Sequence, residues 1–395
     1  MRIGLLTYHW VSNYGANLQT LSTYSFLEEM GYEPIIINWI PQKTKEYYLS
    51  ACPREQYECH RSFINERCQL TEEFSETNLV PEIIKKNKID GVVIGSDSLF
   101  NLEKDKYSWL QKRTIFATED HIYPNPFWGF KFEDVPHVGL SISSQNSDYF
   151  LYKEVKEEIG RSLLSFRAIT VRDMWTRGLV SYFTEGKMVP DVTPDPVFAF
   201  NENVSDLPTR NYILEKYNLP EKYVLLSFNR GKRFRMSQKW LSDIKSRFNE
   251  VGISCVSLPR ATGSQELQMD INLEMPLPPM DWYSIIRYSS GYIGVLMHPI
   301  VICIHNSVPF YSFDHYGVGP YLFVNKKSSK TYNIVSDAGL LDNYLNQMAT
   351  PFRPSAKKVF ERIMSFPKEQ CASFAQKQQK LCLDNMNALL NKLSR

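Results

Sequence analysis

The chain has little excess charge. Its 45 Lys and Arg offset 43 Asp and Glu, for a net charge of +2 over 395 residues. No segment gathers Lys and Arg into a dense block, which argues against a nucleic-acid binder. Long apolar runs are missing too, and no stretch reaches the roughly 20 residues that cross a bilayer. The opening MRIGLLTYHWVSN resembles the start of a signal peptide, but His9, Trp10 and Asn13 break the apolar run and no small-residue cleavage site follows. Cysteine is sparse: seven residues, scattered, with no tight C-x2-4-C pair. That spacing speaks against a disulfide framework and against zinc. The one local cluster, Cys52, Cys59, His60 and Cys68, reads as coincidence, so no metal is expected. Repeats and low-complexity segments are also lacking. These absences point to a soluble cytoplasmic protein, with contact at the inner face of a membrane left open.

What is present is an ordinary globular composition, 43% hydrophobic and 22% charged, long enough for two or three domains. Arg2–Tyr8 reads as a strand, Leu18–Met30 as a helix stopped by Gly31, and "YEPIIINWI" as a second strand, which makes one Rossmann-type unit. The segment from about 41 to 80 is polar, aromatic and irregular and reads as an insertion or a helical excursion. Strands are expected again at "GVVI", "HVGLSIS" and "AITV". The aromatic stretch "YPNPFWGFKF" (123–132) reads as buried rather than lipid-facing. A polar, Pro-containing segment, 201–222, marks a boundary. The alternation of strand and helix then restarts with "YVLLSF". Three units are predicted: 1–204 and 205–353, each Rossmann-like, and a helical tail at 354–395 whose apolar stripe packs across both.

Ligands of open α/β sheets bind beyond the carboxyl ends of the strands. In the first half those positions hold Asn13, Tyr14, Asn17, Asp97, Ser144 and Arg172. In the second they hold Arg230, Lys232, Arg233, Arg260 and His298. The first set is mostly neutral hydrogen-bonders and the second is basic. That asymmetry suits a sugar-like ligand on one side and an anion on the other. His298 precedes Pro299, which is favoured at a first helical turn. This would put the ring at a helix cap beside free N–H groups, where an anion binds. Two readings stand for it: a general acid poised by a bound anion, or a core histidine bonded to a backbone carbonyl. His305, seven residues on, reads as core. Asp97 also fits a helix cap, Asn17 a helix-start residue, and Arg172 beside Asp173 a surface ion pair.

Taken in order, several segments resemble the polysaccharide pyruvyl transferase family: "IGLLTYHWVSNYGANLQTLSTYSFLEEMGYEPIIINW", "VVIGSDSLFN", "ITVRD", "PDVTPDPVF", "LMHPIVICIHNSVPFYSFDHYG" and "KKSSKTYNIVSDAGL". The resemblance implies a GT-B-like α/β fold with the site in the cleft between two Rossmann-like domains. It implies transfer of pyruvate from phosphoenolpyruvate (PEP), as co-substrate, to two hydroxyls of a sugar in a surface polysaccharide or its lipid-linked precursor. It implies no cofactor and no metal. By the same resemblance His298 is the catalytic or PEP-contacting histidine and Arg172 a candidate ligand of the donor's anion. Many members carry Arg-Leu-His where this chain has Leu296-Met297-His298. Arg230, Lys232, Arg260 or Lys330 would then supply the missing charge on the donor side. Asn13, Tyr14, Asn17 and Ser144 would hold the acceptor, with Asp97 acting on its hydroxyls. A nucleotide-sugar glycosyltransferase of GT-B fold, and a non-catalytic binding protein derived from such an enzyme, are the competing readings.

Overall fold

The structure is a computed structural model. It describes residues 1–394 apart from 109–112, 133, 146, 230, 232 and 233, and apart from the side chains of 106–108, 113 and 115. Its first half holds β1 (Arg2–Leu6), β2 (Glu33–Ile36), β3 (Gly91–Asp97), a small antiparallel hairpin of β4 (Lys106–Ser108) and β5 (Arg113–Ile115), then β6 (His137–Ile142), β7 (Ala168–Val171) and β8 (Asp191–Val192). All but the hairpin form one parallel sheet in the order β2-β1-β3-β6-β7-β8. The second half repeats the plan with β9 (Tyr223–Ser227), β10 (Ser254–Ser257), β11 (Ile271–Asn272), β12 (Gly291–Gly294), β13 (Phe310–Asp314) and β14 (Tyr344–Asn346). Their order is β11-β10-β9-β12-β13-β14, again wholly parallel. This is the 3-2-1-4-5-6 order of a dinucleotide-binding fold. The first sheet follows the same order, with β8 as a seventh strand, once the parallel bridges of Ile36 to Leu70 and Trp39 to Phe74 are counted as an edge beside β2.

The central strands carry no polar alternation because helices cover both faces. Every residue of β3 and β6 is buried. The helix expected from Leu18 starts earlier, at Tyr14, and runs to Glu29. Asn13 caps it by accepting from the Gly15 N–H at 3.1 Å. Its residues from Tyr14 to Tyr24 are all buried, so no apolar stripe marks its start. The segment 41–80 contains two helices, Gln42–Ala51 and Arg54–Arg67, each entered through a proline. "YPNPFWGFKF" supplies core, with Phe127 and Trp128 fully buried and Trp128 stacked on Phe100 at 4.5 Å.

Pro367 divides the tail into two helices that go to different places. Ala356–Met364 packs on Gln238–Glu250 in the second half, with Phe360 edge-on to Phe248. Lys368–Leu393 leaves that half near Ile304 and Ala338 and ends on the first sheet. There Arg167 donates to the carbonyls of Lys392 and Leu393, and Asn385 donates to Thr170. One 26-residue helix thus ties the halves together. The carboxyl ends of both sheets open onto one cleft.

Candidate active site

The cleft has a volume of about 570 Å³ and is lined from both halves. At its first wall lies a largely buried ion cluster. Arg172 follows β7, with a side chain only 2% exposed. Its Nη2 donates to Asp97 Oδ1 at 3.2 Å, and its Nη1 donates to Asp195 Oδ2. Asp195 sits in the loop after β8, and its other oxygen accepts from the Val197 N–H at 3.0 Å. Two carboxylates around one guanidinium leave negative charge to spare, and a histidine and a lysine from the second half approach it. His298 Nε2 lies 3.6 Å from Asp195 Oδ2, an ion-pair distance outside direct hydrogen-bond reach. Lys330 Nζ donates to Ser98 Oγ at 3.0 Å.

These charges govern ionisation. Burial is the largest influence on Asp97 and would raise it, but Arg172, Lys330 and His298 together hold the carboxyl below its ordinary value. Asp195 responds in the same way, its burial outweighed by Arg172 and His298. Lys330 is pushed down to about 8, chiefly by burial and then by Arg172, with Asp97 and Asp195 pulling back. The backbone at Asp97 has φ +110°, a conformation that non-glycine residues rarely adopt and that clusters at functional sites.

His298 is the second residue of the helix Met297–His305 rather than its cap, which is Leu296. Pro299 is therefore third. It fits there because the first four N–H groups of a helix have no intrahelical acceptor. The imidazole packs over Gly15 of the opposite half: a Cβ built on Gly15 would stand 2.0 Å from both Cγ and Nδ1 of the ring. The glycine of "NYGAN" is thus required by contact across the cleft. His305 closes the same helix, and burial lowers it to about 4.

Arg260 and Lys330 line the cleft, as do Asn13, Tyr14, Asp97 and Leu296. Tyr14 stacks on Trp282 of the second half, with centroids 4.6 Å apart and rings 6° from parallel. Four expectations need correction. Arg172 is no surface ion pair and does not reach the cleft, because its guanidinium is enclosed by Asp97 and Asp195. Asp97 caps no helix and closes β3. Asn17 is fully buried between the His9 carbonyl and His60 Nδ1. Ser144 is fully buried and bonded to Thr176. Neither Asn17 nor Ser144 touches the cleft. Arg230, Lys232 and Arg233 lie outside the described residues. Among the described residues, no group of three or more His, Cys, Asp or Glu is arranged to hold a metal ion.

Sequence reasoning missed two features. Asp195 was visible only as part of a Pro-Asp-Pro loop after a two-residue strand. The second feature is an acidic and aromatic wall on the first half. There Tyr8 and Thr44 donate to Asp120 at 2.6 and 2.5 Å. His121 lies 3.5 Å from Asp120 and 3.6 Å from Glu103. Burial would lower His121, but Glu103 and Asp120 raise it above its ordinary value. Tyr47, Tyr48 and Asn101 complete this wall. Its parts come from a loop, a helix and the segment after the hairpin, so no local motif announces it.

A sequence model of the polysaccharide pyruvyl transferase family matches residues 13–316. No curated protein matches. Solved structures of the same fold include a Staphylococcus aureus MnaA–UDP complex, at TM-score 0.51 and 12% identity over 100% of this chain and 98% of that one. A Neisseria meningitidis UDP-GlcNAc 2-epimerase bound to UDP-GlcNAc reaches TM-score 0.53 at 9% identity, over 100% and 99% of the two chains. The Streptomyces nogalater glycosyltransferase SnogD reaches 0.52 at 10% identity, over 100% and 99%. At such identities the likeness is one of fold, two Rossmann-like domains in the GT-B arrangement.

Proposed function

Because the chain belongs to the polysaccharide pyruvyl transferase family, we propose that it moves pyruvate from PEP onto two hydroxyls of one sugar, giving a cyclic ketal and inorganic phosphate. The acceptor would be a unit of a surface polysaccharide or its lipid-linked precursor. The observation that carries this reading is the division of charge across the cleft. Arg260, His298 and Lys330 project from the second half, while Asp97, Glu103 and Asp120 line the first. PEP brings a carboxylate and a phosphate, which the cationic wall suits. Leu296 lines the cleft at the position where the resemblance would place an arginine; Arg260 and Lys330 line it as well and would supply positive charge.

In the proposed chemistry, His298 protonates the methylene carbon of PEP, with Asp195 stabilising the imidazolium. One sugar hydroxyl then attacks the neighbouring carbon, its proton passing to a base of the first wall. The C–O bond to phosphate breaks, and the second hydroxyl closes the ring on the same carbon. Of the two hydroxyl protons, one replaces the proton given to PEP and the other leaves with phosphate. Arg172 holds Asp97 and Asp195 in place and meets no substrate. No cofactor or metal takes part in this scheme.

Melting curves with PEP and with uridine diphosphate test the proposal. A ligand at a hundredfold excess over its dissociation constant stabilises by about 2.7 kcal/mol. Stabilisation by PEP that His298→Ala reduces, with phosphate release on adding acceptor glycans, is the expected result. Stabilisation by the nucleotide alone would overturn it in favour of a nucleotide-sugar transferase. His298→Ala with undiminished turnover would remove the histidine from the acid role.

A further inference from the structure

Among the described residues, the two most exposed large apolar side chains are Phe323 and Phe352, at 81% and 80%. They stand on separate loops that the fold brings together. Leu322, itself 46% exposed, donates its N–H to the Met348 carbonyl at 2.7 Å. Arg353 donates to the Arg235 carbonyl, and Trp240 donates to the Pro354 carbonyl at 2.9 Å. The three segments follow β9, β13 and β14 at their carboxyl ends. They form one rim of the second half. The rim borders the cleft, since Tyr316 and Lys330 of the middle segment line it.

The same rim is one-sided in charge. Stretches 229–242, 315–336 and 347–360 contain no Asp or Glu, in a chain whose acids and bases otherwise nearly balance. Arg235, Lys326 and Lys327 are exposed there. Phenylalanine at four-fifths exposure is unusual, and Phe323 stands three and four positions before the exposed Lys326 and Lys327, which make no ion pair among the described residues; that combination calls for a partner both apolar and anionic.

We propose that this rim docks on an anionic phospholipid surface. Phe323, Leu322 and Phe352 would enter the headgroup boundary while Lys326 and Lys327 face the phosphates. Either signal alone gives weak, reversible binding, and the two together anchor a peripheral protein. A nucleic-acid ligand would not require apolar tips, and a protein partner would not require every acid to be missing. Docked this way, the cleft mouth lies at the membrane, where a lipid-linked sugar presents its headgroup. The inference does not depend on pyruvyl transfer, and its test needs neither PEP nor an acceptor.

The full chain is sedimented with phosphatidylcholine vesicles that contain or lack phosphatidylglycerol. Binding at least about tenfold stronger to the anionic vesicles, weakened by salt, is expected. Phe323→Ser/Phe352→Ser and Lys326→Glu/Lys327→Glu should each lose it without a change in melting temperature or in PEP-dependent stabilisation. Equal partition to both vesicles, or wild-type binding by both variants, would overturn the proposal. So would a concentration-dependent dimer that the same substitutions disrupt in a chain that ignores vesicles, or a preference for single-stranded oligonucleotide over lipid.

Discussion

Substituting Gly15 by alanine tests how the two halves cooperate. Gly15 lies in the first turn of the helix Tyr14–Glu29, without a positive φ, so the backbone accepts alanine. In an open helix the change would stabilise by about 0.5–1 kcal/mol. Here the new methyl would stand 2.0 Å from the His298 ring, against an ordinary carbon contact of about 3.5–4 Å. The ring must therefore retreat by about 1.5 Å, or the halves must part by as much. Overpacking of this kind costs about 1–3 kcal/mol, which a chain this size should survive folded. The catalytic cost is larger, since about 1 Å of misplacement is enough for a 100-fold loss. The expected outcome is a melting temperature within a few degrees of wild type and PEP-dependent phosphate release lowered about 100-fold or more. Gly15→Ala with wild-type turnover would show that the ring does not work from the position it holds against Gly15. The argument for the closed cleft as the active geometry would then fail.

Removing one carboxylate of the buried cluster by Asp195→Asn should destabilise the chain by about 3–5 kcal/mol, because Arg172 stays enclosed with less to balance it; denaturant unfolding measures this, and a loss under 1 kcal/mol would contradict the pairing. Lys330, at about 8 in the folded chain, gives two pH effects of opposite sign. Between about 8 and 10.4 the unfolded chain holds the extra proton, so this group's contribution to stability rises with pH. PEP stabilisation, which uses the ammonium, should fall as pH rises through about 8, and Lys330→Met should remove that limb of the profile. Asp120→Asn, on the opposite wall, should raise KM for the acceptor severalfold and leave PEP-dependent stabilisation unchanged. A loss of PEP binding in that variant would place the donor on the wrong side of the cleft.

What the sequence disclosed follows from what local pattern can encode. Parallel strands buried on both faces read as short apolar runs, so β1, β3, β6, β9 and β12 were legible along with the two-Rossmann plan. Helix starts were less so. The helix from Tyr14 is enclosed almost all round, which erases the apolar stripe, and Asn13 caps through a bond that no periodicity shows. Pro299 pointed to a helix at the right place but not to its register, since proline is tolerated at more than one position of a first turn. Of the basic residues read after the second-half strands, Arg260 and His298 line one wall of the cleft, but the half read as mostly neutral presents Asp97, Glu103 and Asp120 to it.

Relations between distant segments left no trace in one sequence. Asn17 and Ser144 follow strands as a ligand-binding residue would, yet His60 and Thr176, 43 and 32 residues away, take up their polar atoms. Arg172 looked exposed beside Asp173, but its partners come from the ends of β3 and β8. The glycine of "NYGAN" reads as a turn residue until His298, 283 positions later, is seen resting on it. That contact gives the first motif and the histidine motif a common purpose. One half makes room for a side chain supplied by the other, and in the proposed chemistry that side chain works only when the cleft is closed around it. Substitutions at Gly15 and His298 should for that reason be non-additive: once the ring is gone, so are the three atoms that stand nearest to the methyl of alanine at 15. The double variant should turn over no more slowly than His298→Ala alone, and a further 100-fold loss would mean that Gly15 serves some other contact.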